Sequence, residues 1–183
     1  MAASPPPSRI VWAQPLSVSE DLAIMRIVVL GPGAAGKSTL SKSLTQATGV
    51  AWVELDKLFW SPNLDPMPPD EWADVQRDLI EEESWILDGD LGLYDVVDVR
   101  LEKADTVVLF DPPTWRCVWR TLRRSRQRLD YWRWLLTWRR RYLPGLMKRT
   151  AERPDVRVLI IRNRHDIEQV KSTLGDGPMK PGQ

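Results

Sequence analysis

Gly31-Pro32-Gly33-Ala34-Ala35-Gly36-Lys37-Ser38 follows directly on the apolar run Ile27-Val28-Val29-Leu30. A strand running into G-x-x-x-x-G-K-S reads as a phosphate-binding loop. Glycines let the backbone curl until successive N–H groups point inward at phosphate oxygens. In that geometry Lys37 reaches the terminal phosphates of a nucleoside triphosphate and the Ser38 hydroxyl ligates Mg²⁺. Gly31, Gly33, Ala34, Ala35, Gly36, Lys37, Ser38 and Thr39 are therefore the expected contacts to ATP. A helix over Lys37–Thr48 is expected next, with Leu40, Leu44 and Ala47 as a narrow apolar stripe and Gly49 as its cap. Its positive N-terminal end would face the same anion.

Outward from the loop, apolar runs and helical periods alternate. Ile27–Leu30, Ala51–Leu55, Trp85–Leu87, Thr106–Phe110 and Val156–Ile161 read as strands. Asp70 can cap a helix whose apolar residues are Trp72, Val75, Leu79 and Ile80, and a last helix runs from about Asp166 to Leu174, stopped by Gly175. Nearly continuous apolar strands separated by helices predict an α/β chain: a three-layer P-loop NTPase fold, five parallel strands with helices on both faces. Between the fourth and fifth strands stands an insertion of about 114–150, read as two helices or one long one that ends at Pro144-Gly145. Its apolar side is expected to comprise Trp115, Val118, Trp119, Leu122 and Leu129, then Tyr131, Trp134, Leu135, Trp138 and Tyr142.

A chain of 183 residues fits one domain. Residues 1–24 read as a loosely ordered tail, 25–174 as the domain and 175–183 as a short second tail. Met25 sits where the first strand begins and is a candidate translation start. Cys117 is the only cysteine, which excludes a disulfide framework and a cysteine-based zinc cluster; it reads as a buried core thiol. The only histidine, His165, cannot form a metal site alone. No apolar run reaches the ~20 residues of a membrane span, and Met1–Ser8 lacks a secretory pattern, so a cytoplasmic location is expected.

Three strands end in aspartate, where ligands gather in parallel sheets: Asp56, Asp88 and Asp111. Asp88 is the candidate second Mg²⁺ anchor, directly or through water, against the plainer role of a turn carboxylate. Asp56 could hydrogen-bond or deprotonate an acceptor hydroxyl, or be a solvated turn residue. Asp111, followed by two prolines, reads as structural. Phe59, Trp60 and Trp72 either stack on a planar ligand or hold a small subdomain together.

The net charge of +1 conceals a segregation. Arg116–Arg149 holds eleven arginines and Lys148 against one acid, Asp130, a local charge of about +11. Such a segment is a solvated face, a lid that neutralises a transferring phosphoryl group, or a nucleic-acid contact in which arginines alternate with Trp and Tyr.

These motifs together resemble the adenylate-kinase-related P-loop family of topology-modulation proteins. The resemblance rests on the loop, on Glu54-Leu55-Asp56 followed by Phe59-Trp60, on Trp85-Ile86-Leu87-Asp88-Gly89, on Ala104–Val108 and on the Arg- and Trp-rich region, and it covers about Met25 to Leu174. It implies an acceptor-binding segment after the second strand and a lid between the fourth and last strands. It also implies that arginines at the start of the lid, Arg120 with Arg124 or Arg123, contact the donor nucleotide. Two departures stand out. Many relatives carry Asn where this chain has Asp90, and the segment D-G-F-P-R of adenylate kinases is replaced by Asp88-Gly89-Asp90-Leu91-Gly92, which removes the usual reason to expect AMP as acceptor. The implied activity is Mg²⁺-dependent transfer of the ATP γ-phosphoryl group to a nucleotide or other small molecule, with Lys37, Asp56, Arg120 and Arg124 catalytic. The alternative is a nucleotide-gated protein that binds nucleic acid through the basic segment.

Overall fold

The strand that feeds the glycine loop, β1 (Arg26–Leu30), lies at the centre of a parallel sheet of five strands ordered β2-β3-β1-β4-β5. The computed structural model describes residues 24–124 and 129–175. Of the tails read from the sequence at 1–24 and 175–183, residues 1–23 and 176–183 lie outside the described residues. β2 spans Trp52–Glu54, β3 Trp85–Asp88, β4 Thr106–Phe110 and β5 Arg157–Ile161. Because side chains alternate along a strand, Val28 and Leu30 point into one core while Ile27 and Val29 point into the other. Burial on both faces explains the unbroken apolar strands.

Helix α1 (Lys37–Thr48) begins at the loop and ends on Gly49, whose φ of 74° lets its N–H reach the Thr45 carbonyl at 2.9 Å. Its buried face is Lys37, Leu40, Ser41, Leu44 and Thr48; Ala47, expected on the apolar stripe, is exposed instead. α1 packs with the last helix, α8 (Arg164–Gly175), on one face of the sheet. α3 (Pro69–Leu79) and α4 (Val97–Leu101) contribute Trp72, Leu79, Val97 and Leu101 to the core on the other.

Three local expectations are corrected. The second strand stops at Glu54, and Leu55–Phe59 form a helical turn, α2, so that Leu55 and Phe59 turn back into the core. Asp70 lies inside α3 rather than at its cap; Pro68 holds that position, and Pro69 needs no N–H in the first turn. Among the described residues the insertion forms three helices, α5 (Thr114–Arg124), α6 (Leu129–Arg141) and α7 (Leu143–Ala151). Pro144 falls in the first turn of α7, so Pro144-Gly145 begins a helix instead of ending one. Among the described residues no helix is long and apolar enough to cross a membrane.

Candidate active site

The loop is built where β1 meets α1. Gly31 has φ 142° and Gly36 φ 108°, conformations that a side chain would strain, and a Cβ on Gly31 would sit 2.6 Å from Cβ of Phe110 in β4. The next turn leaves the first N–H groups of α1, from Lys37 through Thr39, without intrahelical acceptors, and no side chain caps them. These donors and the helix dipole are together suited to an anion. Lys37 is buried, and its Nζ donates to the carbonyls of Gly31 at 2.9 Å and Pro32 at 3.2 Å. Ala35 is buried, while Gly33, Ala34 and Gly36 are half-buried and Ser38 and Thr39 are exposed.

Parallel pairing brings the carboxylates to the same end. Asp88 is in register with Val29, the penultimate residue of β1, and with Glu54 at the end of β2. It is buried, its Oδ2 has no hydrogen-bond partner, and the Ser38 hydroxyl is directed at its carboxylate. Burial pushes the Asp88 carboxyl above the ordinary carboxylate range, with the Lys37 ammonium and Ser38 opposing. Asp56, one residue into α2, keeps part of its side chain accessible; desolvation by the surrounding protein raises its pKa, opposed by Lys37 and reinforced by Asp88, Asp95 and Glu54. Asp90 is a third such group. Burial and then Asp95 raise it, while Lys37, the Trp138 indole and the Gly92 N–H oppose. The Lys37 ammonium opposes the rise at all three carboxylates.

The insertion covers this end. Arg120 Nη1 donates to the Ala35 carbonyl at 3.1 Å and to that of Ala34 at 3.4 Å, so this arginine is seated on the loop. Arg123 is not: its guanidinium stacks over the exposed Trp119 ring at 4.0 Å. The side chain of Arg124 lies outside the described residues. From α6, Tyr131 lies against Gly33, Trp134 against Gly92, and Trp138 Nε1 donates to Asp90 Oδ2 at 2.7 Å. Asp111 binds Arg139, with Nε to Oδ1 at 3.0 Å and Nη2 to Oδ2 at 3.2 Å, and faces Arg162 at 3.5 Å. Asp111 therefore ties α6 to the end of β4.

Most of the apolar side expected for α5 faces solvent: Trp115, Trp119 and Leu122 are exposed, while Val118 packs partly buried against the core and Cys117 and Thr121 are buried. The Cys117 thiol is pushed up by burial, as expected of a core group. Phe59 and Trp72 are buried with ring centroids 5.2 Å apart, the packing role. His165 is exposed in the first turn of α8.

Sequence reasoning missed Arg100. It is fully buried in α4; its Nη1 donates to Asp95 Oδ1 at 2.7 Å and Gln76 Oε1 at 2.8 Å, and its Nη2 to Asp95 Oδ2 at 2.7 Å and the Gly89 carbonyl at 2.9 Å. The available signal was Gln76, a polar residue on the buried face of α3 beside Trp72, Val75 and Leu79.

A different concavity, a groove of ≈ 640 Å³ between the edge strand β5 and α8, includes no residue of the loop. No family model matches the chain, and no curated protein matches it by sequence. Solved structures do match in fold. A sugar kinase from Janibacter is 18% identical with a TM-score of 0.51, over 82% of this chain and 94% of that one. A gluconokinase from Sinorhizobium meliloti is 17% identical with a TM-score of 0.53, over 83% and 92%. A shikimate kinase from Bacteroides thetaiotaomicron is 16% identical with a TM-score of 0.56, over 83% and 99%. The chain shares its α/β fold with these three structures.

Proposed function

We propose that this chain is a phosphotransferase that moves the γ-phosphoryl group of ATP to a hydroxyl of a small molecule. The observation that carries this reading is the convergence of Lys37, Ser38, Asp88 and Asp56 at one end of the sheet, beside uncapped helix donors. A loop that only binds nucleotide has no need of a second, accessible carboxylate there.

On this reading the loop amides and Lys37 hold the β- and γ-phosphates, and Arg120 stands by the same loop with the insertion as a lid. A divalent cation fits the donors. Asp88 presents a buried oxygen without a partner next to the Ser38 hydroxyl, and among the described residues no cluster of three His, Cys, Asp or Glu side chains competes as a site. One carboxylate, one hydroxyl and phosphate oxygens are what Mg²⁺ accepts; when bound it would neutralise charge on the phosphates. Asp56 receives the acceptor's proton. The acceptor oxygen bonds to the γ-phosphorus, the bond to the β–γ bridging oxygen breaks, and the electron pair leaves on ADP.

The test is Lys37→Ala with ATP binding and ADP release as readouts. Loss of both is expected; full retention would overturn the reading.

A second reading has an observation of its own. Arg116 over Trp115 at 5.4 Å and Arg123 over Trp119 at 4.0 Å place exposed cation–ring pairs along α5, a surface suited to a single strand. It predicts oligonucleotide affinity that falls steeply with salt. Weak binding with little salt dependence removes it.

A further inference from the structure

Resting on the phosphotransfer reading, we infer that Arg100 is a positioning residue for the cation: by fixing the turn after β3 it holds Asp88 where the Ser38 hydroxyl and the phosphates share a metal with it. The turn is gripped on both sides of Gly89, the residue next to Asp88. The Gly89 N–H donates to the Val29 carbonyl of β1 at 3.2 Å, and the Gly89 carbonyl accepts from Arg100 Nη2 at 2.9 Å. Two consecutive peptide planes are thereby set, one by the central strand and one by the guanidinium.

The same guanidinium reaches the turn a second time through Asp95. It grips that carboxylate with two bonds of 2.7 Å, and Asp95 Oδ2 accepts the Leu91 N–H at 3.3 Å. Gln76, from α3, completes the grip by accepting from Nη1 at 2.8 Å. On the side of α2 the turn is equally tight. A Cβ on Gly89 would stand 2.7 Å from Cβ of Leu55, so there is room for a hydrogen atom alone. Burial weighs against the charge of Arg100, but Asp95, then Asp90 and Asp56, outweigh it, and the fully buried group stays a cation.

Two roles can be told apart by what each needs. An arginine that only balances the charge of Asp95 is replaceable by any buried cation, or dispensable once Asp95 is neutral. One that positions Asp88 must be a planar fork, because Gly89, Gln76 and Asp95 are met in one fixed geometry. A carboxylate that ligates a metal depends in this way on the groups that hold its backbone.

The experiment uses the full chain with ATP, and Mn²⁺ as the probe for the cation. Calorimetry measures ATP affinity without metal, and electron paramagnetic resonance measures Mn²⁺ affinity of the protein–ATP complex. Arg100→Lys keeps the charge and loses the fork. Arg100→Met combined with Asp95→Asn removes both charges at once, which a fold tolerates better than the loss of one. Under conditions where melting curves show the proteins folded, metal-free ATP affinity is expected to stay within a few fold of the parent. Mn²⁺ affinity is expected to weaken by about 10- to 100-fold in both variants. Parental Mn²⁺ affinity in either one overturns the inference, and loss of the metal in Asp88→Asn then leaves the phosphotransfer reading standing. If Asp88→Asn binds Mn²⁺ as the parent does, both fall. Loss of metal-free ATP affinity as well, or of the folded state in both Arg100 variants, makes Arg100 a support of the whole fold and overturns the positioning role.

Discussion

The Trp138 indole donates to Asp90 Oδ2 at 2.7 Å, and both residues are buried. The middle of α6 is thereby bonded to the turn after β3, far away in sequence. Replacing Trp138 by Phe leaves that oxygen buried without its donor and opens a small void. The expected cost is about 2–4 kcal/mol, read as a lower urea midpoint with an unchanged slope.

Asp88 is raised by burial, so its ionised form weighs against the folded state of the ligand-free protein. The sign follows from proton binding: the folded state holds this proton to higher pH than the unfolded chain does, so stability falls as pH rises from the ordinary carboxylate range through the raised value. Asp88→Asn removes that dependence. The variant is expected to be more stable than the parent at pH 8, with the gap closing on acidification, while ATP-dependent transfer drops by more than about 100-fold. Melting curves across pH and initial rates check both halves. A parent that gains no relative stability on acidification contradicts this account of Asp88.

Asp56 must be ionised to take a proton, and its pKa is raised by its surroundings. The acid limb of the pH–rate profile is therefore expected above the range of an exposed carboxylate. Asp56→Asn should lower kcat by about 100- to 10,000-fold while leaving ATP affinity within a few fold. A variant that loses ATP affinity and keeps kcat would place Asp56 on the wrong side of the reaction.

Gly33 and Tyr131 are packed so closely that a Cβ on the glycine would collide with the phenol. Gly33→Ala is expected to cost about 1–3 kcal/mol through overpacking. In the Tyr131→Ala background the same change should be nearly neutral, giving a coupling energy of about 0.5–3 kcal/mol in a double-mutant cycle. Simple additivity would mean that α6 does not sit on the loop in solution.

The loop and its strand were legible because their information is local: glycine spacing, one lysine, and an apolar run of four residues ahead of them. The place of Asp88 at the carboxyl end of β3 was also readable, since parallel strands deliver those ends to one edge; Asp56, read as a strand end, stands in α2 instead. The face of α5 was not readable. Trp115, Trp119 and Leu122 have the spacing of a buried stripe, but Arg120 must reach the loop and Cys117 the core, which turns those rings outward. Nor were α2 and α4, each of five residues, because so short a helix shows little more than one period. Arg100 escaped for another reason: its partners Gln76, Gly89 and Asp95 meet only once three elements are packed.

Lys37 rests on two carbonyls of its own loop, and this sets a threshold for what can occupy the site. A small inorganic anion meets an ammonium already quenched by backbone dipoles, and gains little by displacing them. A chain of phosphates engages the helix amides and the ammonium at once, replacing every bond it breaks. On the proposed reading, the pairing of Lys37 with its own backbone would thus favour a triphosphate over orthophosphate.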